Sequence, residues 1–132
     1  MPTVNVSLKA QAARSLERFR PQLVEETVES EFRVRPDFWR RYGDKAKVRC
    51  TEDTNFHINF LVCALTMDTP SIFLDYVDWL VPLLKGHGMG EDDVRENLGC
   101  LKHSISGTLP LNEAQAACSL LDEALARLGK PQ

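Results

Sequence analysis

Apolar positions along the chain repeat at helical spacing, and no stretch of useful length alternates with the two-residue period of a half-buried strand. Ser7 is placed to cap a first helix whose inner face is Leu8, Ala12, Leu16 and Phe19, and which stops before Pro21. Pro21 suits the first turn of a second helix, where its missing N–H is not needed. Leu23, Val24, Thr27, Val28 and Phe32 predict the buried side of that helix, and Pro36 ends it. Residues 37–43 predict one short amphipathic helix in which Phe38, Trp39 and Tyr42 pack and Gly43 closes the end.

The centre of the pattern runs from Cys50 to Val81. After a helical or irregular connector over residues 44–49, Thr51 predicts an N-cap, because Glu52 and Asp53 follow in the first turn, where negative charge meets the positive end of the helix dipole. Phe56, Phe60, Cys63 and Met67 form one stripe of this helix and His57, Leu61, Ala64 and Leu65 its neighbour, so burial is expected over much of its circumference. Thr69 as cap and Pro70 at the first position predict the next helix, with Ile72, Phe73, Tyr76, Val77, Leu80, Leu83 and Leu84 inward and a kink at Pro82. Three glycines in the five residues from Gly86 to Gly90 cannot sustain a helix and predict a loop. Glu91, Asp92 and Asp93 then open a helix with Val94, Leu98, Leu101 and Ile105 inward, followed by a turn over residues 106–110. Asn112 and Glu113 start the last helix, whose face is Ala117, Leu120, Leu121, Ala124, Leu125 and Leu128 and whose stop is Gly129. The expectation is an all-α fold: one domain over residues 1–132, a bundle of six to seven helices in two layers.

Charge narrows the partners. Sixteen basic and nineteen acidic residues, interspersed, give a net charge of −3 and no basic footprint for nucleic acid. The longest apolar run, around Ile58 to Met67, is too short for a membrane span, and no secretory signal pattern is visible, so a soluble, cytoplasmic protein is expected. The four cysteines, Cys50, Cys63, Cys100 and Cys118, form no C-x-x-C pair and read as small hydrophobes in a reducing compartment, with no metal site.

Asp53 and His57 lie four apart, so they share a helix face and could pair, the carboxylate favouring the charged imidazole. The plainer reading of His57 is a structural hydrogen bond. The paired Glu-x-x-His signature of di-iron bundles is absent. His87 stands between glycines and His103 on a polar helix side, where solvation is the simpler role. The glycine loop follows a helix and lacks phosphate-loop spacing, and no nucleophile elbow or zinc spacing occurs, so no enzymatic activity and no catalytic residue are expected. Trp39, Tyr42, Phe56, Phe60, Tyr76 and Trp79 serve as core in the plain reading. In the sharper one, Tyr76 and Trp79, beside Asp75 and Asp78, line an edge where an apolar cofactor or a partner helix docks.

Two resemblances follow from these residues. The spacing of His57 and His87 on successive helices resembles that of the distal and proximal histidines of globins, which implies a globin-like, haem- or tetrapyrrole-binding alternative with either histidine as ligand. The ordered strings Arg35-Pro-Asp-Phe-Trp-Arg-Arg-Tyr-Gly43, Cys50-Thr-Glu-Asp-Thr-Asn-Phe-His57, Ser71-Ile-Phe-Leu-Asp-Tyr-Val-Asp-Trp-Leu80 and Gly86-His-Gly-Met89 resemble the helical module N-terminal to cobalamin-binding domains in bacterial regulators, similar to light-responsive transcriptional regulators and to the cap region of methionine synthase. In those proteins a histidine of a D-x-H-x-x-G motif in the following α/β domain holds the cobalt, and these 132 residues contain neither motif nor domain. The resemblance therefore implies a module that caps a cofactor or mediates contacts, with His57, Tyr76 and Trp79 at the matching positions.

Together these readings predict a non-enzymatic sensor or adaptor of a bacterial regulatory system. It would bind a protein partner or an apolar or tetrapyrrole ligand, such as cobalamin or haem, in a groove between the central helices. The residues expected at that groove are His57, Phe60, Tyr76, Trp79 and His87. A second copy, in a homodimer, would cover one of the same aromatic edges.

Overall fold

A computed structural model of the chain describes residues 7–128, and within them it is all-α. Seven helices follow one another: α1 (Leu8–Arg18), α2 (Arg20–Val34), α3 (Pro36–Tyr42), α4 (Asp44–Thr66), α5 (Ser71–Lys85), α6 (Glu91–Thr108) and α7 (Leu111–Leu128). Their order and number match the periodic reading, and no strand occurs among the described residues. The stop assigned to Gly129 lies outside the described residues.

The local signals explain most boundaries. The Ser7 hydroxyl accepts from the Ala10 N–H and caps α1. The Gly43 N–H donates to the Trp39 carbonyl at 2.7 Å, closing α3 with a positive φ of 58°. Between α5 and α6 the chain turns through Gly88 at φ 81°, and the Asp93 carboxylate accepts from the Gly90 N–H at 2.7 Å to start α6. The α5 helix continues through Pro82 to Lys85, although Pro82 has no N–H to offer the preceding turn.

α4 is the hub, touching each of the other six helices. It is also longer than its sequence pattern predicts. Of the two forms open to residues 44–49 the helical one is found, continuous with the rest of α4 instead of a separate connector, because nothing after Gly43 breaks it and Ala46 and Cys50 have buried places to fill. Thr51 is consequently an interior residue, not a cap, and its hydroxyl donates to the Lys47 carbonyl one turn back. Thr69 does not cap α5 either, since its hydroxyl donates to the Met67 carbonyl. The helix begins after Pro70 without a side-chain cap.

Packing chose between the two stripes of α4. His57, Leu61, Ala64 and Leu65 face the core with Thr54 and Ile58, whereas Phe56, Cys63 and Met67 are exposed and Phe60 is half-buried. Phe32, Leu83 and Leu8, which the spacing places inward, are exposed at the edges of their helices' apolar arcs. The core proper is built from Leu16, Leu23, Ile58, Leu61, Phe73, Leu98, Leu101, Ile105 and Leu121, all essentially free of solvent contact. Polar bonds fix the helices laterally. The Arg20 guanidinium donates to Asn55 and Asn59 of α4, Ser104 of α6 donates to Glu26 of α2 at 2.8 Å, and Arg127 of α7 reaches Asp78 of α5 at 2.8 Å.

Candidate functional site

The face between α4 and α5 carries a groove of about 340 Å³. Its floor is Phe60 stacked flat on Tyr76, ring centroids 4.0 Å apart and planes within 8°. Trp79, 59% exposed, stands 6.4 Å from Tyr76, and Phe56, Leu83 and Leu84 complete the apolar walls. Arg49, Glu52 and Asp53 form the charged end. Helical spacing explains the gathering: positions 56 and 60 share one side of α4, and 76, 79, 80 and 83 share one side of α5. Burial of Tyr76 pushes its phenol well above the ordinary range, with the charge of Asp53 adding to the effect, so the hydroxyl keeps its proton.

His57 lies behind this floor. It is 1% exposed and shares a 2.8 Å hydrogen bond between Nδ1 and the Tyr76 hydroxyl. Burial lowers its pKa to about 4, with only partial opposition from the Asn97 side chain, so the ring is neutral near pH 7. The expected pairing with Asp53 does not form. Asp53 faces Arg49, Oδ1 to Nε 3.6 Å, while its own burial raises the carboxyl above the usual range. Both residues line the same small cavity, but the phenol across the helix interface satisfies the imidazole without the cost of burying its charge.

Of the five residues expected at one groove, the structure brings Phe60, Tyr76 and Trp79 together and places His57 directly beneath them. His87 is elsewhere: it is exposed and lines an open hollow of about 260 Å³ with Phe38, Tyr42 and Met89. The two histidines whose spacing resembles the globin pair thus belong to different cavities. His103 is exposed.

Two features were missed by the sequence reading. A wider hollow, about 510 Å³, opens between α2 and the start of α4, with Phe32 edge-on to Trp39 at 5.4 Å and charges of both signs, Glu29, Arg33, Asp44 and Lys47, around it. Second, α2, α4 and α6 enclose a polar cluster of Glu31, Cys50, Thr54 and Asn97. Glu31 is 6% exposed, and burial pushes its carboxyl up to about 7. Burial likewise raises the Cys50 thiol, and raises that of Cys100 to about 12. A signal existed for both polar residues. Glu31 falls four after Thr27 on the buried side of α2, and Asn97 falls three after Val94 on that of α6.

The fold and these cavities define an all-α, seven-helix bundle with an aromatic groove between two central helices. No protein-family model matches the chain, and no curated protein matches it at a significant level. Among the described residues no helix is long and apolar enough to cross a membrane, and no group of three or more His, Cys, Asp or Glu side chains is placed to hold a metal ion.

Proposed function

We propose that the chain is a non-enzymatic helical sensor or adaptor whose α4/α5 groove receives an apolar ligand or the apolar face of a partner helix. The observation that carries this reading is the exposure of Trp79, Phe56 and Leu83 around a flat, stacked Phe60–Tyr76 floor. Exposed apolar side chains gathered along a groove between two helices are the support for an interaction site here. The volume falls at the small end of ligand pockets, and the groove's open line between two helices also suits the i, i+3, i+4 anchors of an amphipathic helix. The charged end adds orientation, since Glu52 and the Arg49–Asp53 pair lie at one side only.

The non-enzymatic part of the proposal draws its support from other side chains. His57 is neutral and engaged with Tyr76, and the raised thiols of Cys50, Cys100 and Cys118 are the opposite of an activated nucleophile.

The test is a titration of the purified protein with haemin, cobalamin and a panel of amphipathic helical peptides. It is followed by visible absorbance for the tetrapyrroles and by titration calorimetry for the peptides. A saturable change lost in a folded Trp79→Ala variant is the expected result. If Trp79→Ala binds every ligand and peptide that the wild type binds, the groove is not the site. Light scattering on the same samples separates occupation by a second copy of the chain from binding of an added partner.

A further inference from the structure

Among the described residues, five buried side-chain polar atoms have no hydrogen-bond partner: Thr27 Oγ1, Glu31 Oε1, Trp39 Nε1, Arg49 Nε and Asn97 Oδ1. Two of the five, those of Glu31 and Asn97, belong to buried residues lining one small cavity of about 20 Å³ between α2, α4 and α6, whereas Arg49, which also lines it, has its Nε 3.6 Å from Asp53 Oδ1. Unpaired buried polar atoms are costly, and their concentration around one hollow calls for a common partner. We propose that this cavity is a hydrated, proton-linked site: one water bridges Glu31 and Asn97, and the Glu31 carboxyl exchanges a proton with solvent.

Size and chemistry select water. The cavity has room for about one molecule, since a water needs on the order of 10–15 Å³ of this measure and two to four polar partners. Two orphan acceptors, Glu31 Oε1 and Asn97 Oδ1, are the complement of a water that gives both its hydrogens. A cation would meet the guanidinium groups of Arg35 and Arg49, and an anion would meet Glu31, Asp53 and Asp93.

The surroundings explain why the carboxyl can hold or release a proton. On α2, Arg35 is committed to Asp93 of α6, and on α4, Arg49 is committed to Asp53, so neither cation is pledged to Glu31. From α4 the Cys50 thiol donates to Glu31 Oε2 at 3.6 Å, and His57 is neutral. From α6, Glu96 adds negative charge, and the Cys100 thiol stays protonated. α5 contributes only Leu80 and Leu84, and the remaining cover is Phe38 of α3 and Met89 of the α5–α6 loop. Burial outweighs the weak opposing contributions of Cys50, Arg35 and Asn97 and carries Glu31 to about 7. Ionising Glu31 therefore places an incompletely paired charge where α2 meets α4 and α6, and protonating it supplies one more donor for the water or for Asn97.

The experiment is an NMR titration of the glutamate side-chain carboxyl carbons in the wild-type protein. It is joined to water–protein cross-relaxation at the Asn97 side-chain amide and to unfolding of wild type and Glu31→Gln between pH 5 and 8. One glutamate, assigned by its loss in Glu31→Gln, should titrate near 7 instead of the ordinary 4.5, and a long-lived water should be seen at Asn97. The wild type should gain stability relative to Glu31→Gln as pH falls. Titration of Glu31 with the surface glutamates, or absence of a long-lived water at Asn97, overturns the proposal; both are read on the wild type and do not depend on the variant folding. A stability difference that does not change with pH overturns it as well.

Discussion

At the scale of single residues, the groups that matter most are those whose burial changed their chemistry. Tyr76→Phe keeps the ring that stacks on Phe60 but removes the partner of His57 Nδ1. An orphaned buried nitrogen costs about 1–3 kcal/mol, and urea unfolding should show a loss in that range. Two buried groups also titrate in opposite senses. Glu31 keeps its proton up to about 7 in the folded protein but only to about 4.5 when exposed, so the folded state binds more protons between those values and stability rises as pH falls. His57 takes up a proton near 4 when folded but near 6.5 when exposed, so stability falls as pH drops through that window. The two effects oppose each other between about 4.5 and 6.5. Glu31→Gln should uncover a loss of up to about 3 kcal/mol on acidification, because each tenfold difference in proton affinity between the folded and unfolded chain is worth roughly 1.4 kcal/mol. His57→Asn should uncover a gain of similar size. Parallel profiles for the three proteins would show that neither group is linked to folding.

Glycines separate local from packing effects at the scale of the element. Gly43, between α3 and α4, has φ 58° and ψ −138°, and a Cβ added there meets no atom within 4 Å. The cost of Gly43→Ala is therefore conformational alone, about 1–3 kcal/mol. Gly99, inside α6, has equal space but helical backbone, so Gly99→Ala should stabilise by about 0.5–1 kcal/mol. Thermal unfolding of the pair should shift in opposite directions, and a common direction would contradict the backbone assigned to residue 43. The same junction explains why α4 begins early. Gly43 is the break, so the helix propagates from Asp44 and leaves Thr51 in its interior, where a residue suited to capping turns its hydroxyl back on the preceding turn.

For the whole molecule, the core and the groove should respond separately. Leu16 of α1 is fully buried in the core, and Leu16→Ala should cost about 2–5 kcal/mol. Trp79 is 59% exposed at the groove's lip, and Trp79→Ala should change stability by no more than about 0.5 kcal/mol while abolishing occupation of the groove. Denaturant unfolding beside the binding titration distinguishes the two. A large stability loss in Trp79→Ala would mean that the rings hold the bundle together instead of presenting a surface.

Helical periodicity and punctuation by proline and glycine were enough to determine the all-α class, the order of the helices and most of the core, because both act within a few residues of themselves. They also marked Tyr76 and Trp79 as one edge, since both lie on a single helix, and Phe60 joined them through the packing of α4 on α5. Which of two adjacent apolar stripes of α4 turned inward was decided only by the helices packed around it. The same packing gave His57 a phenol in place of a carboxylate. It also brought Glu31, Arg49 and Asn97 to one cavity, because those three meet across helices distant in the chain and no local spacing records the meeting.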